Sequence, residues 1–209
     1  MAFLLLILPS SAYAAALSTD GATRVQALLN KTGGSCTRVC TASDKLHWWG
    51  ARIGDAGCAT LAERILANPN WTLSNLLLGT NDLTDGCVQS LSNVASHGRF
   101  KKLRALGLSR NGITDAGCET LAKSFASGAW PQLRDLYLSS NPDLGDRCVN
   151  ALARALAAKS ALERVGFNDL PKLTSAGVVT ALEALKARKD GFDGTLWLRE
   201  FSLKDNAQL

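Results

Sequence analysis

Residues 103–121, LRALGLSRNGITDAGCETL, carry one strand, one turn and one helix, and the rest of the chain can be read against them. Leu103, Leu106 and Leu108 stand at i, i+3 and i+5. Because a strand exposes its two faces alternately, Leu106 and Leu108 share a face. Asn111 falls where the chain leaves the strand, and its amide can hydrogen-bond turn backbone that an apolar side chain would leave unpaired. Asp115 follows as an expected N-cap for a helix whose apolar residues Cys118, Leu121, Ala122 and Phe125 recur at i, i+3, i+4 and i+7.

The phrase returns on both sides. Leu73, Leu76, Leu78, Asn81, Leu83, Asp85 and Cys87 precede it, and Leu133, Leu136, Leu138, Asn141, Leu144, Asp146 and Cys148 follow. Weaker copies begin at Leu46 (Trp48, Ile53, Asp55, Cys58) and at Leu162 (Val165, Phe167, Leu173, Ser175, Val178). Positions 58, 87, 118, 148 and 178 are separated by 29, 31, 30 and 30 residues, a regularity that means a solenoid of stacked units. Each unit is too small to bury its own apolar face, and stacking gives all of them one shared core. Asp55, Asp85, Asp115, Asp146 and Ser175 form the matching series of expected N-caps. Trp71, Phe100 and Trp130, just ahead of each unit's first Leu, are expected to fill the bend between helix and strand.

Bulk composition agrees with one folded domain: 209 residues, 46% apolar and 20% charged. The net charge of +5 is spread among acidic residues, which argues against a nucleic-acid surface. Residues 2–8 are wholly apolar, Pro9 breaks the run, and Ala12-Tyr13-Ala14 matches a small-x-small cleavage pattern. Residues 1–16 therefore read as a secretory signal, too short to span a bilayer, although no Lys or Arg precedes the apolar run. Residues 17–45 read as an amino-terminal cap with a helix bearing Val25, Leu28 and Leu29, followed by Cys36 and Cys40. Residues 46–209 hold five to six repeats, the last incomplete, with Leu198, Phe201, Leu203 and Asn206 starting a unit that has no helix. Core leucines left open there would favour self-association.

The units at 73–81, 103–111 and 133–141, each Leu-x-x-Leu-x-Leu-x-x-Asn, resemble the leucine-rich repeat. Asn-Gly-Ile-Thr-Asp-Ala-Gly-Cys-Glu-Thr-Leu-Ala at 111–122 resembles most the ribonuclease-inhibitor-like subclass. The resemblance implies an α/β horseshoe, a right-handed solenoid with a parallel β-sheet on the concave side and α-helices on the convex side, used to bind proteins.

Geometry says where a partner would sit. Strands stack about 4.8 Å apart and helices about 10 Å apart, so the sheet must line the inner curve. Residues between the leucines face that curve, and most are small. The large ones are His47, Trp49, Leu77 and Tyr137, of which Trp49, Leu77 and Tyr137 are the expected anchors. Arg110, Asp135 and Arg164 are expected to orient the partner.

Cys58, Cys87, Cys118 and Cys148 are expected to be free thiols packed as small hydrophobes, because helices 10 Å apart cannot bring their Cα atoms within disulfide reach. Cys36 and Cys40 could close a loop in the cap, remain thiols, or join His47 at a zinc site, for which no fourth ligand is evident. Asn30 and Asn70 head glycosylation sequons that matter only in the secretory pathway. No catalytic triad, phosphate loop or dinucleotide fingerprint appears, so neither an enzyme nor a cofactor is expected. The leading expectation is a secreted module that binds a partner protein through its concave sheet. The alternative is an intracellular regulator resembling innate immune receptors or Ran GTPase activators, or a fragment of one.

Overall fold

In the computed structural model, residues 20–31, 44–158, 162–186, 200–206 and 209 are described. The expected signal segment, Cys36 and Cys40 lie outside them. A cap helix α1 (Gly21–Lys31) is followed by strict alternation: β1 (Lys45–His47), α2 (Gly54–Ala67), β2 (Asn75–Leu77), α3 (Asp85–Ser96), β3 (Ala105–Gly107) and α4 (Asp115–Ala126). The same pattern continues with β4 (Asp135–Tyr137), α5 (Asp146–Ala158), β5 (Arg164–Gly166), α6 (Ser175–Lys186) and β6 (Glu200–Ser202). The six strands form one parallel sheet in sequence order, and their central residues Leu46, Leu76, Leu106, Leu136, Val165 and Phe201 lie in register. This is the expected solenoid, with its sheet on the inner curve and its helices on the outer one. Among the described residues no helix is long and apolar enough to cross a membrane.

The leucines, together with Trp71, Phe100 and Trp130, are buried in one continuous core, as the repeat requires. Phe100 and Trp130 stack with centroids 5.2 Å apart, one repeat over the next. Beyond the three-residue strands the backbone ladder continues into the turns, as from the Thr80 N–H to the Ser109 carbonyl and from Arg110 to Ser139, and the asparagines satisfy groups that it leaves. Asn111 donates from its amide to the carbonyls of Leu78 and Leu108, at 3.1 and 2.9 Å. Its Oδ1 accepts the N–H groups of Asn81 and Leu83 in the preceding repeat, at 2.9 and 3.2 Å. Asn141 and Asn206 repeat the arrangement, so each asparagine ties its own turn to the one before.

The aspartates behave differently from expectation. The N-caps of α3 and α4 are Thr84 and Thr114, one residue earlier, whose hydroxyls accept from Gly86 and Ala116 N–H. Asp85 opens α3 and reaches forward, accepting from the Thr114 N–H at 2.9 Å and its hydroxyl at 2.6 Å. Asp55 does the same to Thr84, and Asp146 to Thr174. Asp115 accepts from the N–H groups of Gly145 and Cys148, at 2.8 and 3.1 Å. These carboxylates cap the neighbouring repeat's helix rather than their own, and Thr174 takes the place expected for Ser175.

The four repeat cysteines are not free thiols. Cys58–Cys87 and Cys118–Cys148 are disulfides, with Cα atoms 5.4 and 5.2 Å apart. The 10 Å helix spacing does not hold at these cysteines, near the helix starts, where the Cα separation is close to the strand spacing instead. At the α3–α4 and α5–α6 seams glycine takes the corresponding place: a Cβ on Gly117 would lie 2.1 Å from the Asp85 carboxylate, and one on Gly177 equally close to that of Asp146. The pairing follows from counting each cysteine from its aspartate. The offsets are three (Asp55 to Cys58), two (Asp85 to Cys87), three (Asp115 to Cys118) and two (Asp146 to Cys148). Two residues after the first helical residue of an Asp-led helix, the chain faces the preceding helix; there stand Gly117, facing Asp85, and Cys87 and Cys148, facing Cys58 and Cys118.

At the amino-terminal end α1 covers the first repeat. Asp20 caps it, accepting from the Thr23 and Ala22 N–H groups at 3.0 and 3.3 Å and from the Thr23 hydroxyl. The Thr23 N–H, foremost among these bonds, holds the Asp20 carboxyl below its ordinary pKa. Val25 is fully buried against the core. Arg24 donates to the Arg52 carbonyl at 2.6 Å and Arg64 to Gln26, fastening the cap to repeat one.

Candidate functional site on the concave sheet

The sheet's inner surface collects the expected contact residues, because side chains flanking each buried central residue point away from the helices. Lys45 and His47 flank Leu46 and are exposed. Trp48 is buried and Trp49, the next residue, is 60% exposed. Its indole does not project freely. It lies across Gly79 of the next repeat, where an added Cβ would come within 2.3 Å of the ring.

The same device recurs. Leu77 leans over Gly107, where a Cβ would lie 2.9 Å from the leucine methyl, and Tyr137, 38% exposed, packs beside Gly166, where the distance would be 3.5 Å. Each of these three side chains is followed one repeat later by a glycine in the same column, on which it rests. Glycine here supplies room rather than backbone freedom. Rings and methyls that rest on a strand lose less rotamer entropy on binding than freely rotating ones. In the sequence these glycines stand out only as small and neutral; their 29- or 30-residue offset behind each anchor is the signal that could have found them.

The three anchors do not form one cluster. Trp49 and Leu77 lie at the β1–β2 end and Tyr137 on β4, with buried Ala105 and Gly107 of β3 between them as the floor of a shallow trough. Asp135 and Arg164 face each other across β4 and β5 as a two-pronged ion pair, with N–O distances of 2.6 and 2.8 Å. That hydrogen-bonded carboxylate raises the Arg164 pKa above its ordinary value, so the guanidinium stays charged. The two therefore act as a mutually satisfied unit beside Tyr137. Arg110 stands apart on the rim. With Thr80, Ser140 and Asp169 it adopts φ of 55 to 57°, a left-handed conformation recurring once per repeat along the edge of the sheet.

Asn70 is exposed in the turn between α2 and β2, while Trp71 beside it is buried. Asn30 falls near the end of α1, and its side chain lies outside the described residues. The zinc alternative cannot be drawn from His47 alone, since Cys36 and Cys40 also lie outside.

No protein-family model matches this sequence, and no curated protein matches it either. Solved structures do. The leiomodin-1 actin-binding site 2 structure is 14% identical with a TM-score of 0.57, covering 80% of this chain and 88% of that one. The tropomodulin C-terminal domain of Caenorhabditis elegans is 16% identical with a TM-score of 0.56, covering 78% of this chain and 92% of that one. Both are leucine-rich-repeat-like domains and neither is ribonuclease-inhibitor-like, which corrects the subclass expected from residues 111–122. That phrase specifies a strand, an asparagine ladder and a helix start, and these are features such repeat folds share. At this identity the likeness establishes the fold.

Proposed function

We propose that the chain is a recognition module that holds a partner protein against its concave sheet. The observation that carries this is the seating of Trp49: a large aromatic side chain, mostly exposed, resting on a glycine at one end of an open trough. Tryptophan and tyrosine in such settings are the residues that most often dominate interface energetics. Leu77 and Tyr137 extend the apolar contact on either side of the trough, and the Asp135–Arg164 pair offers a charged rim. One of the two similar structures is an actin-binding site of leiomodin-1, so actin is the partner to try for the intracellular alternative.

A secreted life remains the favoured setting. Two disulfides between helices are the bonds an oxidising compartment makes and a reducing cytosol removes. An exposed sequon at Asn70 is compatible with the same route. An intracellular regulator would instead carry four thiols at these positions. The test is a Trp49→Ala/Tyr137→Ala double variant measured by biolayer interferometry against actin and against partners found by cross-linking from position 77. Loss of binding by a hundredfold or more with an unchanged circular-dichroism spectrum supports the reading. Undiminished binding removes it.

A further inference from the structure

On the opposite face, the seam between α4 and α5 opens into a groove of about 610 Å³. Its apolar lining is alanine: Ala122 and Ala126 from α4, Ala151 and Ala155 from α5. Such short side chains leave two neighbouring helices unable to fill the space between them. Its walls are cationic. Lys123 and Arg154 line it and are exposed, and neither has an ion-pair partner among the described residues. Arg147 closes one end, held by Glu119 at 2.6 Å. With one carboxylate against three cations, the lining carries a net charge of +2.

The corresponding seam between α2 and α3 lacks this character: its matching positions carry Glu63 and Asn93 and no cation.

We infer that the α4–α5 groove docks an acidic segment of a partner protein, with small apolar side chains against the alanines and carboxylates on Lys123 and Arg154. Charge complementarity selects this occupant. The site is independent of the concave face, and the whole molecule thus presents two surfaces of different chemistry.

The probe is a fluorescein-labelled peptide alternating Glu with Ala, followed by fluorescence anisotropy on the full chain with its disulfides intact. Lys123→Glu/Arg154→Glu should weaken binding at least tenfold, and Ala151→Phe, which fills the groove without changing charge, should do likewise. Lys101→Glu/Lys102→Glu, the same charge change at exposed positions elsewhere, should leave affinity within twofold, as should Trp49→Ala. Equal weakening by the Lys101/Lys102 variant would mean general attraction to a basic protein and would overturn the site. So would full retention of binding in Ala151→Phe, or equal competition by inorganic phosphate, which would reduce the groove to a small-anion site. A dimer in sedimentation velocity that disappears in the Lys123→Glu/Arg154→Glu variant would assign the groove to a second copy instead.

Discussion

Asn141 shows how much a single side chain holds in a repeat with three-residue strands. Its amide donates to the carbonyls of Leu108 and Leu138, at 3.1 and 2.8 Å, and its oxygen accepts the Ile113 N–H at 3.1 Å, all of them buried. Asn141→Ala strands those backbone groups away from water, each at about 1–3 kcal/mol. Losses of about 3 kcal/mol or more in urea denaturation are therefore expected, against less than about 0.5 kcal/mol for an exposed control such as Lys102→Ala. A loss of under about 1 kcal/mol would show that water replaces the amide. The role of the asparagines is legible in residues 103–121, because a polar residue fixed at the strand's exit has few other uses. The aspartates escape a reading at this same scale. Local capping rules look two or three residues ahead, and the Thr114 groups that Asp85 meets lie 29 residues away. Glycines beneath the anchors escape it for the same reason: what Gly79 accommodates is a ring one whole repeat earlier.

Helices and strands as elements follow readily from periodicity, the cap helix included, although the three-residue length of each strand does not. What periodicity hides is a second rhythm within it. Cysteine spacings of 29 and 31 read as scatter around thirty, yet measured from the aspartates they alternate between two faces of the helix. The resulting bridges staple α2 to α3 and α4 to α5 and leave the α3–α4 seam with no disulfide, held by packing and by Asp85. Loops of this length are stabilised by about 3–4 kcal/mol per disulfide in the chain-entropy account. Cys118→Ser/Cys148→Ser should accordingly lower the unfolding free energy by about 3 kcal/mol. Alkylation of the unfolded, unreduced wild-type chain should leave Cys58, Cys87, Cys118 and Cys148 unlabelled in peptide mapping. Labelling at any of the four would break the proposed pairing, and with it the strongest support for an oxidising compartment.

At the scale of the whole molecule, each unit touches only its neighbours, so stability is a sum of local terms and seam terms. The horseshoe is legible in the sequence because it needs only a repeated spine. The concave surface is legible in part, since position on a strand names the residues but not the glycines that seat them. The convex groove is not, because it depends on two helices failing to fill a shared volume. One-dimensional coupling makes a further claim that can be measured. Val25, on the inner face of α1, is fully buried and closes the amino-terminal end of the core. Val25→Asp places an unpaired charge there, which should dislodge the cap and expose the first repeat rather than unfold everything at once. Amide exchange should then quicken most in α2 and β2, less in α3, and little in α5, where the Cys118–Cys148 bridge and the Asp115 bonds to Gly145 and Cys148 hold. The matching substitution Leu136→Asp, at the centre of the sheet, should instead raise exchange on both sides of β4. Uniform acceleration across all repeats in the Val25 variant would mean that the bridged helices unfold as a single cooperative block, and the picture of separable neighbours would have to be given up.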